Sequence, residues 1–275
     1  MLSNAGAYVL PHSDKWVLKA NGSEHVIFVS VPSEQAPESG FPVLYLLDGN
    51  AVFASMTEAL RLMTRPPHGF SPAAVVAIGY DTDGPFCRER RFFDYTVSAT
   101  QEEVGTGKHG EPWPPSGGVD VFLSMLEEQL MTELEQKYSL DPTKRAFFGH
   151  SLGGLCVLHT LFTRNHLFDT YIAGSPSVWW KNRYIQDMAA AYLAEAGTRD
   201  AIAPVKKLLL SVGEKEKSHM VEDAIALHAR LTRNASNIQS TFFSVSEAGH
   251  MSVLPTLIGE AIRFFLANGT ESEHL

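Results

Sequence analysis

The chain has 275 residues, 22 Lys plus Arg against 31 Asp plus Glu for a net charge of −9, and 44% hydrophobic residues. That length fits one α/β domain or two smaller ones, and it allows burial of roughly three-quarters of the surface exposed in the unfolded chain. The acidic balance excludes a general nucleic-acid binder, whose affinity comes from Lys and Arg displacing counterions. Two cysteines, Cys87 and Cys156, exclude a disulfide framework and have no zinc-ligand spacing. No run approaches the ~20 apolar residues of a bilayer span. Met1 to Pro11 shows no basic segment leading into a long apolar one, so a soluble, cytoplasmic protein without membrane or nucleic-acid partners is expected.

In chain order, His25 to Val31 alternates loosely and predicts an edge or early strand. Val43 to Leu47, Ala74 to Tyr80, Arg145 to Phe148, Thr170 to Ala173, Leu208 to Val212 and Thr241 to Val245 are short apolar runs, suited to strands buried on both faces of a parallel sheet. Between them, helical patterns cover Ala51 to Met63, Val119 to Tyr138, Gly154 to Arg164, Arg183 to Glu195, Val221 to Asn234 and Ser252 to Leu266. This alternation predicts a mostly parallel, doubly wound α/β sheet with helices on both faces and ligands beyond the strands' carboxyl ends. Residues 81–118, rich in Gly, Pro and charge, show no clear element and read as a cover over the site or a floppy excursion. A second insertion is expected at about 176–204.

The strand ending at Phe148 runs into Gly149-His150-Ser151-Leu152-Gly153-Gly154 and then an amphipathic segment, which is G-x-S-x-G in a strand-turn-helix context. So sharp a turn requires positions two before and two after the serine to lack bulk, and Gly149 and Gly153 meet that need. Ser151 Oγ would stand at the N-terminus of the following helix, which favours developing negative charge. A serine hydroxyl needs a base, and the base an orienting acid. Among the 11 histidines, His250 comes after the last strand and occupies the position a base needs. His150 is expected to point elsewhere in the turn, and His159 to pack or lie on the surface. The acid is expected after Val212, where Glu216 is the first choice and Glu214 the second, although Gly213 to Lys217 also reads as a solvated charged loop. The oxyanion donors are expected to be the Leu152 and Asn50 N–H groups, with Gly49 allowing close approach.

These residues resemble the putative-esterase (esterase D-like) branch of the α/β-hydrolases, and within it the esterases that open the trilactone of enterobactin, salmochelin or bacillibactin. The resemblance rests on Tyr45 to Asn50 (YLLDGN), Arg91 to Thr96 (RFFDYT), Gly117 to Leu123 (GGVDVFL), GHSLGG, Ser175 to Trp180 (SPSVWW), VGEKE and the late AGH. It implies an α/β-hydrolase fold with lid-like insertions on a single domain spanning residues 1–275. By resemblance Ser151 is the nucleophile, His250 the base, and Asn50 with Leu152 the oxyanion donors. The branch varies at the acid, some members relying on a Ser-His dyad. No metal or organic cofactor is implied; iron would arrive within the substrate.

A ferric catecholate is a compact anion, so a chain of net −9 needs local cations. Arg88, Arg90 and Arg91 supply them beside Phe86, Phe92, Phe93 and Tyr95, since guanidinium both stacks on a catechol and donates to its oxygens. The alternative is that they pair with Glu89 and Asp94 or anchor the loop. Trp113, Trp179 and Trp180 would line the substrate pocket or plug the core, with Lys181, Asn182 and Arg183 on the rim. Asp120 is expected to cap its helix. The expected function is a serine esterase that works through an acyl-serine intermediate on a small-molecule ester, the trilactone of a catecholate siderophore, to release its iron. Alternatives are an esterase for feruloyl or acetyl esters or S-formylglutathione, and a ferric-siderophore-binding protein without hydrolysis.

Overall fold

The computed structural model describes residues 6, 8–67, 69–107, 110–196, 204–235 and 237–267. Strands β1 (Ser13–Ala20), β2 (Ser23–Ser30), β3 (Phe41–Leu46), β4 (Ala74–Gly79), β5 (Leu140–His150), β6 (Thr170–Gly174), β7 (Lys206–Gly213) and β8 (Ile238–Val245) form one sheet in the order β1-β2-β4-β3-β5-β6-β7-β8. β1 and β2 are antiparallel additions; from β4 to β8 every pairing is parallel. Parallel strands need crossovers, and the crossovers cover both faces, which is why every residue of β3, β4 and β6 is buried.

Helices α1 (Gly49–Met63) and α9 (Leu254–Leu266) pack on one face through Val52, Met56, Leu257 and Ile262. The other face carries α4 (Val119–Met125), a π turn (Leu126–Met131), α5 (Thr132–Lys137), α6 (Leu152–Thr163), α7 (Trp180–Ala196) and α8 (Ser218–Asn234). α6 is apolar all round and fully covered from Leu152 to Leu161, as its sequence LCVLHTL requires.

The structure narrows one expectation, corrects a second and adds detail to a third. His25 to Val31 is the early strand of its two readings and not the edge: it forms most of β2, which pairs on both sides, and the edge is β1, whose SDKWVLKA sequence leaves most side chains in solvent and so carries no burial pattern to read. The 81–118 insertion has structure of its own, α2 (Arg88–Tyr95) and α3 (Gln101–Val104), the latter closed by a capping box between Thr100 and Glu103. Polar positions dominate RERRFFDY, and it is held by buried Phe92, Asp94 and Tyr95 rather than by an apolar stripe. In the 176–204 insertion, α7 starts with three left-handed residues, Lys181, Asn182 and Arg183, while 197–203 lie outside the described residues.

Candidate active site

Strand register places the chemistry. His150 pairs with Gly174, Gly174 with Ser211, and Gly213 with Val245, so the residues just past β5, β6, β7 and β8 emerge along one carboxyl edge. Ser151 turns between β5 and α6 at φ 60° and ψ −115°, a strained conformation for a residue with a Cβ. Gly149 permits the turn, because a Cβ there would stand 2.3 Å from the Gly153 carbonyl oxygen. The second close approach falls one residue later than expected. A Cβ on Gly153 would meet only ordinary contacts at 3.5 Å, whereas one on Gly154 would lie 2.8 Å from the Gly174 carbonyl oxygen.

Ser151, His250 and Glu216 lie in one hydrogen-bonded row. His250 Nε2 is 3.0 Å from Ser151 Oγ, and its Nδ1 is 2.8 Å from Glu216 Oε2. The other Glu216 oxygen accepts from Ser175 Oγ at 2.5 Å and from the Gly213 N–H at 2.8 Å. Burial pushes the Glu216 carboxyl up, but the bonds from His250, Ser175 and Gly213 outweigh it and hold the group below the ordinary carboxylate range. A carboxylate there keeps the imidazole proton on Nδ1, leaving Nε2 free to accept from Ser151. Glu214, the second choice, is exposed and reaches the Glu247 N–H at 3.4 Å, away from the row.

His150 does not simply point away: its ring is buried with its centroid 4.6 Å from that of His250. Burial, with the positive charges of His250 and Arg91 nearby, pushes its pKa down to about 3, so it packs as a neutral wall beside the imidazole. Sequence reasoning also missed Ser175 and Ser177, whose only signal is their place within SPSVWW. Ser177 Oγ lies 3.3 Å from Ser151 Oγ.

Leu152 opens α6 and Asn50 is the second residue of α1, so both N–H groups belong to first turns and have no intrahelical acceptor. The Asn50 side chain is occupied elsewhere, donating to the Tyr80 and Thr82 carbonyls and accepting from the Tyr80 N–H, which fastens the β3-α1 turn to the end of β4. Asp48 sits at φ 54° just before, and its N–H donates to Tyr95 Oη.

Arg91 corrects its expected role. Its Nε and Nη2 donate to the two Asp48 oxygens at 3.0 and 2.9 Å, and Nη2 also reaches the His150 carbonyl at 3.4 Å. The pair is almost wholly buried, so Arg91 braces the turn before Asn50 against the turn before Ser151 and is not free for an incoming anion. Arg90 is likewise spent, donating to Asp94 Oδ2 at 3.2 Å and to the Glu24 carbonyl. Neither pairs with Glu89. Arg88 alone of the three is exposed, its guanidinium 5.5 Å from the Phe92 ring centroid and 5.9 Å from that of Trp113.

Trp180 is a core plug, 1% exposed, with Nε1 donating to the Val97 carbonyl. Trp179 is half-buried and packs on Trp113 with centroids 5.8 Å apart, so Arg88, Trp113 and Trp179 make one cationic and aromatic wall. Lys181 is tied to the Ser98 carbonyl and Arg183 to Asp223. Asp120 does not cap α4: Gly118 holds that position, and the carboxylate reaches His159 Nε2 at 3.4 Å instead. Among the described residues no helix is long and apolar enough to cross a membrane.

A family model described as a putative esterase matches residues 19–251. The chain belongs to the putative esterase family. Among curated relatives of this esterase, the ferri-bacillibactin esterase of Bacillus subtilis is 38% identical over 270 residues, 95% of this chain and 92% of that one. The apo-salmochelin esterase of Escherichia coli is 30% identical over 242 residues, covering 84% and 71% of the two chains. Of solved structures, the BES protein from Bacillus cereus superposes with a TM-score of 0.89 at 33% identity, covering 97% of this chain and all of that one. The siderophore hydrolase EstB from Aspergillus nidulans gives a TM-score of 0.81 at 26% identity, covering 96% and 98%. The esterase has the α/β-hydrolase architecture, with its mostly parallel sheet of eight strands.

Proposed function

We propose that this esterase is a serine hydrolase that opens the trilactone of a catecholate siderophore through an acyl-serine intermediate. The observation that carries the chemistry is the Ser151, His250, Glu216 row, 3.0 and 2.8 Å between partners, at the carboxyl edge of the sheet. Ser151 Oγ attacks the ester carbonyl as its proton passes to His250 Nε2. The imidazolium so formed is stabilised across the short bond to Glu216. The Leu152 and Asn50 N–H groups, each on the first turn of a helix, donate to the tetrahedral oxyanion. His250 then protonates the departing alcohol, and water, activated by the same imidazole, releases the acid.

The substrate assignment is supported by the Bacillus subtilis relative, whose name gives ferri-bacillibactin as what it acts on, matching over nearly the whole of both chains. Arg88 over Trp113, next to Trp179, offers what a ferric catecholate asks for, a cation backed by aromatic faces. Trp179 lies two residues past Ser177, whose hydroxyl is 3.3 Å from Ser151 Oγ, so the turn that follows β6 serves both the wall and the reacting serine. Opening the lactone lowers the preorganisation of the chelate and hence its hold on iron. We read the chain as one domain, an arrangement that a single eight-stranded sheet supports. A cytoplasmic setting, in which Cys87 and Cys156 stay thiols, fits the same reading.

The test is kcat/KM on a ferric tricatecholate lactone, a feruloyl ester, an acetyl ester and S-formylglutathione. The lactone is expected to be fastest; a lactone slowest by orders of magnitude would refute the assignment. Bound siderophore without any turnover would mark a sequestering protein instead.

A further inference from the structure

Ser151 has one hydroxyl proton, and in the row it goes to His250 Nε2, because Glu216 holds the imidazole proton on Nδ1. A second hydroxyl touches the same oxygen: Ser177 Oγ, 3.3 Å away. With the Ser151 proton committed, that contact has one direction left, Ser177 donating and Ser151 accepting. Ser177 is fixed in place by its own backbone. Its N–H donates to the Ser151 carbonyl at 3.1 Å, and the residue is 2% exposed. For packing alone, an alanine would serve as well at this position.

We propose that Ser177 is a further catalytic residue, donating a hydrogen bond to Ser151 Oγ as that oxygen leaves the acyl-enzyme. The proposal rests on the serine-esterase reading. In the free enzyme the bond already exists, so acylation gains nothing from it. In the acyl-enzyme Oγ is the alkoxy oxygen of an ester, a poor acceptor, and the bond weakens. In deacylation, water gives a proton to His250 Nε2 and its oxygen bonds to the acyl carbon. The tetrahedral intermediate then collapses: the C–Oγ bond breaks, its electron pair goes to Oγ, and the proton on Nε2 passes to that oxygen. Ser177 keeps its own proton throughout. At 3.3 Å its bond is long for O–H···O and has room to shorten as charge develops on Oγ. An interaction weak in the acyl-enzyme and strong in the transition state accelerates that step selectively.

A lactone gives this selectivity a use. Ring opening leaves the alcohol tethered to the acyl group on Ser151, so its return to the carbonyl is intramolecular and fast. Prompt hydrolysis of the acyl-enzyme competes with that reclosure.

The experiment is stopped-flow hydrolysis of p-nitrophenyl acetate by the full chain, its Ser177→Ala variant and its Ser177→Thr variant, with fluorophosphonate labelling of each. Ser177→Ala is expected to acylate no slower than the unmutated protein while deacylation falls about tenfold, the size of one lost hydrogen bond to a developing charge. A nitrophenol burst stoichiometric with active sites then precedes a slow phase, and kcat and KM fall together. Ser177→Thr, which keeps the hydroxyl, restores deacylation. Equal losses in both steps, or none, overturn the role of Ser177. Failure of the unmutated protein to label at Ser151 overturns the serine-esterase reading and this proposal with it; labelling at Ser151 with an unchanged Ser177→Ala overturns Ser177 alone.

Discussion

Replacing Glu216 with glutamine removes a charge and reverses a proton. The carboxylate is wholly buried and accepts three bonds, from His250 Nδ1 at 2.8 Å, Ser175 Oγ at 2.5 Å and Gly213 N–H at 2.8 Å. An amide has one accepting oxygen, and the Gly213 N–H, being backbone, claims it. The amide nitrogen then faces Nδ1 and drives the imidazole proton to Nε2, where it opposes the Ser151 hydroxyl. The loss is a hydrogen bond to a charged group, ~1.5–3 kcal/mol, together with the cost of restoring the reactive tautomer and forming an imidazolium without its counter-charge. A total of ~3–5 kcal/mol lowers kcat/KM by a factor on the order of 10²–10⁴. Glu214→Gln, at an exposed side chain, should change it by about twofold or less. The assay is kcat/KM on a p-nitrophenyl ester for both variants, with melting temperatures to show that each is folded. A Glu216→Gln protein within about threefold of the unmutated one, or a larger loss in Glu214→Gln, would refute the orienting role.

Arg88→Ala should raise KM for a ferric catecholate about tenfold and leave an uncharged ester unaffected, since only the anion uses the exposed guanidinium; steady-state kinetics on the two substrates checks this. Arg91→Met strands the buried Asp48 carboxylate and should cost ~3–5 kcal/mol of stability, read by urea unfolding, and lower kcat more than it raises KM as the turns bearing Asn50 and Ser151 lose their brace. His150 gives a pH signature. Its folded pKa of about 3 lies below its unfolded value of 6.5, so the unfolded chain binds the extra proton and stability falls as pH drops through that window. Between pH 6.5 and 5 the His150 share of the loss should be ~1–2 kcal/mol; His159 and His228, also depressed by burial, add to it in the same window, and Glu216 contributes only at lower pH. Unfolding free energies of the unmutated protein and His150→Asn across that range should differ in slope; equal slopes would contradict the buried neutral ring.

Features that leave a local imprint are the ones legible in the residues. The parallel strands are legible because burial on both faces demands runs such as AVVAIG, and the turn at Ser151 because its steric need is written in adjacent glycines. His250 and Glu216 can be located from the loops just past the strand ends, since an open α/β sheet brings those ends together whatever the loops contain. β1 escapes because an edge strand exposed on most of its length needs no apolar alternation. α2 escapes because two of its anchors are long-range, Arg91 to Asp48 and Arg90 to the Glu24 carbonyl, pairings that spacing along the chain cannot display; only the Arg90 to Asp94 pair, one turn apart, is local. The same cause misdirects the arginines. Three cations in four residues look like a binding patch until the partners of two are found across the fold. Ser177 stands in plain view within SPSVWW, but its nearness to Ser151 depends on how β6 pairs with β5.

Opening of a siderophore lactone by Ser151 is tested most directly by mass spectrometry of a ferric tricatecholate trilactone incubated with the unmutated protein and with Ser151→Ala. Conversion to the linear, water-added ester by the first, and none by the second, is the predicted result. An intact lactone in both samples, from a preparation that still hydrolyses a simple ester, would contradict it.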